Sequence, residues 1–130
     1  MPVAATERQI FQLELEELPP SVGRAYPTNR NGRRYLSDVG KEFKTRVGWA
    51  CKAEGLDIPA KTPLSVHLIF YFPQNRINKK IDIENLQKLL IDALMEASAT
   101  PADDKWIWQL HAYKRLGESA RTVVRIEVLS

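Results

Sequence analysis

The stretch Lys79–Asp104, KKIDIENLQKLLIDALMEASATPADD, decides how the rest of the chain is read. Leu86, Leu89, Leu90, Ala93, Leu94 and Ala97 recur at three- and four-residue steps, which predicts an amphipathic helix over 83–97 with that stripe buried. Gln87, Lys88 and Glu96 fall away from the stripe, towards solvent or a cleft. Ahead of the helix stand Lys79, Lys80 and two carboxylates, Asp82 and Glu84; after it an Ala/Ser/Thr/Pro loop delivers Asp103 and Asp104. Acidic pairs at both ends of one helix can converge on a divalent cation only if the remaining chain folds around that helix.

Inside a helix, Asp82 and Glu84 would point about 160° apart, given 3.6 residues per turn. On extended backbone they share one side. Asp82 is expected to cap the helix, which puts both carboxylates at its N-terminal, dipole-favoured end. Lys88 follows Glu84 by one turn and Asp92 follows Lys88 by another, so the three form a polar ridge opposite the apolar stripe. Lys88 is suited to contact a scissile phosphate, to stabilise a leaving group or to position water; it is equally suited to an i,i+4 ion pair. Asn85 is placed to orient a carboxylate or to bond backbone near the cap. Carboxylates held together repel one another, and a bound Mg²⁺, or Mn²⁺ in its place, offsets that repulsion. Such an ion activates water and neutralises charge on a phosphodiester. Capping and solvation account for each acidic pair taken singly, and spacing alone leaves the two readings open.

Outward from this stretch, Leu64–Phe72 (LSVHLIFYF) reads as the strongest strand, with Leu64, Val66, Leu68, Phe70 and Phe72 on one face. Its other face, Ser65, His67, Ile69 and Tyr71, is apolar enough to predict cover on both sides. Residues 9–15 alternate as a half-buried strand ended by Pro19-Pro20. Residues 22–34, VGRAYPTNRNGRR, read as an ordered basic loop around an Asn31-Gly32 turn, with Tyr26 and Tyr35 as anchors. Phe43, Val47, Ala50 and Cys51 predict a helix over 39–53, capped by Ser37 and ended at Gly55. Two strands close the chain, 106–113 and 121–129, joined through Gly117 and Ser119 and expected to pair antiparallel. The fold class is α/β or α+β: one domain over 1–130, with a mixed sheet of about four strands and two main helices.

Composition agrees with a globular chain. It is 44% hydrophobic and 27% charged, and 130 residues suffice for a core without disulfides. There is no apolar run of membrane-spanning length and no secretory signal, so a cytoplasmic protein with no membrane partner is expected. The net charge of +3 says little, but its distribution says more. Arg24, Arg30, Arg33, Arg34, Lys41, Lys44 and Arg46 share one acid-poor segment, and Arg76, Lys79 and Lys80 precede the carboxylates. A basic surface beside an acidic pocket suits an enzyme acting on a phosphate backbone. Other chemistries find little support. His67 and His111 have no zinc-ligand spacing, and His67 reads as structural. Cys51 reads as a small buried hydrophobe. There is no glycine-rich phosphate loop. Trp106 and Trp108 are expected in a core or interface.

DIENLQKLLIDAL followed by ADDKWIWQL resembles the signature of the RusA family of Holliday-junction resolvases of bacteria and their prophages, roughly D-x-D-N-x-x-K, then D-A-L, then D-D and a strand. The similarity takes in the basic loop PPSVGRAYPTNRNGRRYLS and is most specific over Asp82–Lys105. The resemblance implies a small homodimeric, Mg²⁺-dependent endonuclease of DNA recombination and repair that nicks four-way junctions symmetrically. It implies metal ligation by Asp82, Glu84 and Asp104 and an essential lysine at Lys88, with Asn85, Asp92 and Asp103 in support. The chain departs from the pattern at three places. Glu84 replaces the usual aspartate and carries its oxygens one methylene further out, Gly23 stands where asparagine is usual, and Thr100-Pro101-Ala102 replaces larger apolar residues. A flap- or fork-selective nuclease, and a junction binder whose site Glu84 has weakened, are the alternative expectations.

Overall fold

The computed structural model describes residues 8–79 and 82–129. The strand β1 (Arg8–Leu15) leads into a one-turn helix α1 (Val22–Ala25) and then α2 (Asp38–Ala53). β2 (Leu64–Phe72), α3 (Glu84–Ala97), a 3₁₀ turn (Asp104–Trp106), β3 (Ile107–Leu116) and β4 (Arg121–Val128) complete the chain. The architecture is α+β, with a mixed four-stranded sheet in the order β1-β4-β2-β3.

β2 sits inside the sheet, antiparallel to β4 and parallel to β3. Its apolar face explains that position: Leu64, Val66, Leu68, Phe70 and Phe72 are all buried. They pack with Phe11, Leu13 and Leu15 of β1, Val124 and Ile126 of β4, and the helix stripes. On α2 the buried side chains include Phe43, Val47 and Cys51; on α3 they are Leu86, Leu89, Leu90, Ala93, Leu94 and Met95. The periodic positions expected from sequence therefore form one core between the helices and one sheet face. Ser37 caps α2 by accepting the Gly40 N–H. At the other end Gly55, at φ +70°, lets Leu56 N–H reach Cys51 O and Gly55 N–H reach Lys52 O, which closes off the last carbonyls.

Three expectations are corrected and one is narrowed. β3 and β4 do not pair; β2 lies between them, and residues 117–120 cross its end. Four residues bridge two strand spacings, roughly 10 Å, without strain, so a short connection does not dictate a hairpin. The crossing is pinned by the Gly117 N–H donating to Phe72 O at 2.9 Å. The segment read wholly as loop contains α1, with Ser21 accepting the Arg24 N–H. Of the two alternatives for Trp108, core or interface, its 65% exposure in the single chain removes the core. The second face of β2 is half-buried, and no described helix covers it: His67 stacks on His111 at 4.5 Å, and the Arg121 guanidinium lies 4.2 Å from the Tyr71 ring centroid.

Candidate active site

α3 carries the ridge expected from its spacing. Glu84 and Lys88 are exposed, and Asp92 is partly buried where the helix meets the root of the basic loop. The Lys88 Nζ lies 3.5 Å from Asp92 Oδ2. The Tyr26 hydroxyl donates to that same oxygen at 2.7 Å. Lys88 Nζ also stands 5.3 Å from the Tyr26 ring centroid, over its face. Burial, reinforced by the hydrogen bond to Asp92 and its charge, pushes the Tyr26 phenol well above its ordinary value. It therefore remains a donor at any physiological pH.

Asp82 is exposed and does not cap α3. The N-cap position is Ile83, in helical conformation, and Asp82 contributes only its backbone carbonyl, which accepts the Asn85 N–H. A helical Ile83 brings the first turn forward by one residue and leaves the Asp82 carboxylate outside the helix. Asn85 has an exposed side chain. Beyond the helix, Asp103 accepts the Lys105 N–H at 3.0 Å and so caps the 3₁₀ turn. Asp104, its neighbour, is exposed and has no ion pair among the described residues. The turn thus divides the acidic pair into a structural member and a free one.

Asp103 and Asp104 line a groove of about 460 Å³ with Tyr26, Lys44, Asp92, Met95 and Glu96. Asp82 and Glu84 lie outside it, at the other end of α3. From Glu84 to Asp92 the helix rises about 12 Å at 1.5 Å per residue. Among the described residues, no three His, Cys, Asp or Glu side chains gather closely enough to hold a metal ion. The donors are hard oxygens of the kind Mg²⁺ takes, but the described residues of one chain do not assemble them into a cation site.

The basic residues sort by partner. Lys44 is bound to Glu96, and Arg46 makes a two-point contact with Glu17 at 2.7 and 2.8 Å. Arg24, Arg30, Arg33, Arg34, Lys41, Arg76 and Lys79 have no ion pair among the described residues. Lys80 lies outside the described residues. Arg24 and Arg76 line a cleft of about 540 Å³ together with Leu86, near the start of α3. The basic loop is folded back by a Thr28–Arg34 bridge around Asn29, whose side chain accepts the Asn31 and Arg33 N–H groups.

Two groups behave as the sequence suggests. Cys51 is buried, and burial pushes its thiol up to about 11, so it is no nucleophile. His67 contacts Glu127 at 2.7 Å. Burial, helped by the neighbouring His111 and Arg125, lowers its pKa despite that carboxylate, so the contact at neutral pH is a hydrogen bond from a neutral ring. Sequence reasoning missed the Tyr26–Asp92 bond and the His67–His111 stack; both join residues distant in the chain, the second through the parallel β2–β3 register.

The α+β domain thus sets Glu84, Lys88 and Asp92 along one helix, beside a loop whose arginines have no ion pair among the described residues. The family of Endodeoxyribonuclease RusA matches residues 17–127, and the chain belongs to that family. Similar proteins include the crossover junction endodeoxyribonuclease rusA of Enterobacteria phage 82 and the crossover junction endodeoxyribonucleases RusA of Escherichia coli (strain K12) and Shigella sonnei (strain Ss046). Each is 35% identical over 79 residues, which is 61% of this chain and 62% of the relative. The matched stretch thus spans a little under two thirds of these relatives' length. No helix among the described residues is long and apolar enough to cross a membrane.

Proposed function

We propose that this protein is a metal-dependent endodeoxyribonuclease that resolves four-way DNA junctions by paired symmetric nicks, working as a homodimer. The observation that carries the reading is the polar ridge Glu84–Lys88–Asp92 on α3, exposed at Glu84 and Lys88, with Asp82 before it and Asp104 beyond it, neither ion-paired among the described residues, in a chain of the RusA family. The arginines Arg24, Arg30, Arg33 and Arg34, with Lys41, Arg76 and Lys79, bind the DNA backbone through charge, which is sequence-independent. Lys88, half-exposed at 56%, reaches a non-bridging oxygen of the scissile phosphate.

Asp82, Glu84 and Asp104 are the proposed ligands of Mg²⁺, or of Mn²⁺ in its place. The ion, when bound, supplies an activated water and charge neutralisation at the phosphodiester. These carboxylates do not converge within one chain, and a second copy related by a two-fold axis offers the missing group. Asp104 of each protomer then meets Asp82 and Glu84 of the other, and the two sites face the two related strands of a junction.

The test is cleavage of a labelled synthetic four-way junction beside a matched duplex and a flap, with Mg²⁺ or EDTA. Wild type is expected to nick the junction symmetrically with Mg²⁺ only. Asp82→Asn and Asp104→Asn are expected to bind it without cutting. Tight binding without nicks by wild type in Mg²⁺ and in Mn²⁺ overturns the enzyme reading, and preferred cutting of the flap overturns the junction specificity.

A further inference from the structure

We infer that Tyr26 is a positioning residue for Lys88, acting through Asp92 and through its own ring face. The inference rests on the nuclease reading above. Tyr26 closes α1 at the root of the basic loop, its N–H donating to Val22 O at 2.8 Å. Its side chain is the hydrogen-bonded tie between that loop and α3, through the 2.7 Å bond to Asp92 Oδ2. The loop that carries Arg30, Arg33 and Arg34 and the helix that carries the motif lysine are thereby tied together.

The geometry at Asp92 assigns Tyr26 a second effect. A lysine ammonium fully engaged with a carboxylate sits at about 2.7–2.9 Å from the oxygen. Lys88 Nζ stands at 3.5 Å, on an oxygen that already accepts the Tyr26 hydroxyl. The phenol draws on the charge that would otherwise hold the ammonium, while the ring beneath Lys88 limits the rotamers of a long, flexible side chain. Lys88 is therefore kept ordered yet not spent on its neighbour, the condition a group needs if it is to move onto a phosphate. Burial and Asp92 keep the phenol protonated, so this arrangement does not titrate away near neutrality.

Tyr26→Phe keeps the ring and removes the donor. Lys88 then closes onto Asp92, and cleavage slows while DNA binding, carried by the arginines, persists. The experiment measures single-turnover nicking of a four-way junction under saturating protein, and the junction Kd in EDTA. The expected result is a rate about tenfold lower, the order a hydrogen bond to a charged group supports, with Kd changed less than about twofold. A second readout needs no activity. After ¹³C reductive methylation, the Lys88 methyl signal, assigned by its loss in Lys88→Arg, is expected upfield from the ring current. It stays shifted in Tyr26→Phe and returns to the free-lysine position in Tyr26→Leu.

Nicking by Tyr26→Phe at the wild-type rate overturns the role, as does a rate loss matched by an equal loss of binding. An unshifted Lys88 signal in wild type overturns it too. Wild type that nicks no junction overturns the nuclease reading and takes this role with it, whereas wild type that nicks equally with Tyr26→Phe overturns this role alone.

Discussion

Replacing Gly117 with alanine tests the strand order on which the site is mounted. In the observed topology residues 117–120 pass over the end of β2, and a Cβ at Gly117 would lie 2.9 Å from Tyr71 Cβ, 3.3 Å from its Cδ1 and 3.4 Å from Ser119 O. Tyr71 Cβ is fixed to a central strand and cannot turn away, so the relief must come from backbone. Overpacking of this kind costs about 1–3 kcal/mol. Alanine recovers about 0.4–1 kcal/mol by restricting the unfolded chain. The difference is a net loss of about 0–2.6 kcal/mol, centred near about 1.3, which corresponds to a fall of roughly 4–5 °C in Tm for a domain of this size. The assay is thermal and urea unfolding, with Glu118→Ala as the exposed control, expected within about 0.5 kcal/mol of wild type. A lower urea midpoint at unchanged m value is the predicted signature. If Gly117→Ala is more stable than wild type, position 117 does not press on Tyr71 and the crossing over the end of β2 is wrong.

Acidification should weaken the sheet through His67. Its pKa is held below 6.5 in the fold by burial, with His111 and Arg125 adding to the effect and Glu127 opposing it, so the folded state favours the neutral ring. Its contribution is complete above the unfolded value and is lost as pH falls below it; His67→Gln should flatten the stability–pH curve between about pH 7 and 5, read by urea midpoint. Glu84→Asp shortens the ligand arm by one methylene and is expected to lower the Mg²⁺ concentration needed for half-maximal nicking; no change in the Mg²⁺ titration argues against Glu84 as a ligand. Neutralising Arg30 and Arg33 together should reduce the slope of log K against log salt by about two on a junction, measured by fluorescence titration. A slope equal to that of wild type removes these two from the DNA surface.

The parts of the fold legible in the sequence are those where periodicity and burial coincide. α2, β2 and α3 each bury the stripe their spacing announces, because each faces a single core. The β3–β4 relation was not legible. A four-residue connection is compatible with a hairpin and with a step over one strand, and only the apolar character of β2, which draws it inside the sheet, separates the two. α1 spans four residues, too few to show a period. At the site, Glu84, Lys88 and Asp92 could be read as one ridge because helical spacing fixes it. Their link to Tyr26 joins residues 66 apart, and no local pattern encodes it. The division of labour between Asp103 and Asp104 likewise depends on where one 3₁₀ turn begins.

Mixing two inactive variants tests the central claim most directly. Asp82→Asn and Asp104→Asn protomers would be purified separately, then dissociated and reassociated together, and nicking of a four-way junction measured in Mg²⁺. If each site takes Asp82 and Glu84 from one chain and Asp104 from the other, a mixed dimer has one intact site. Random pairing then restores roughly a quarter of the wild-type rate, as unpaired single nicks. If every site is built within one chain, each protomer of the mixed dimer is defective. No recovery in dimers verified as mixed would contradict a nuclease site completed by two copies of this chain.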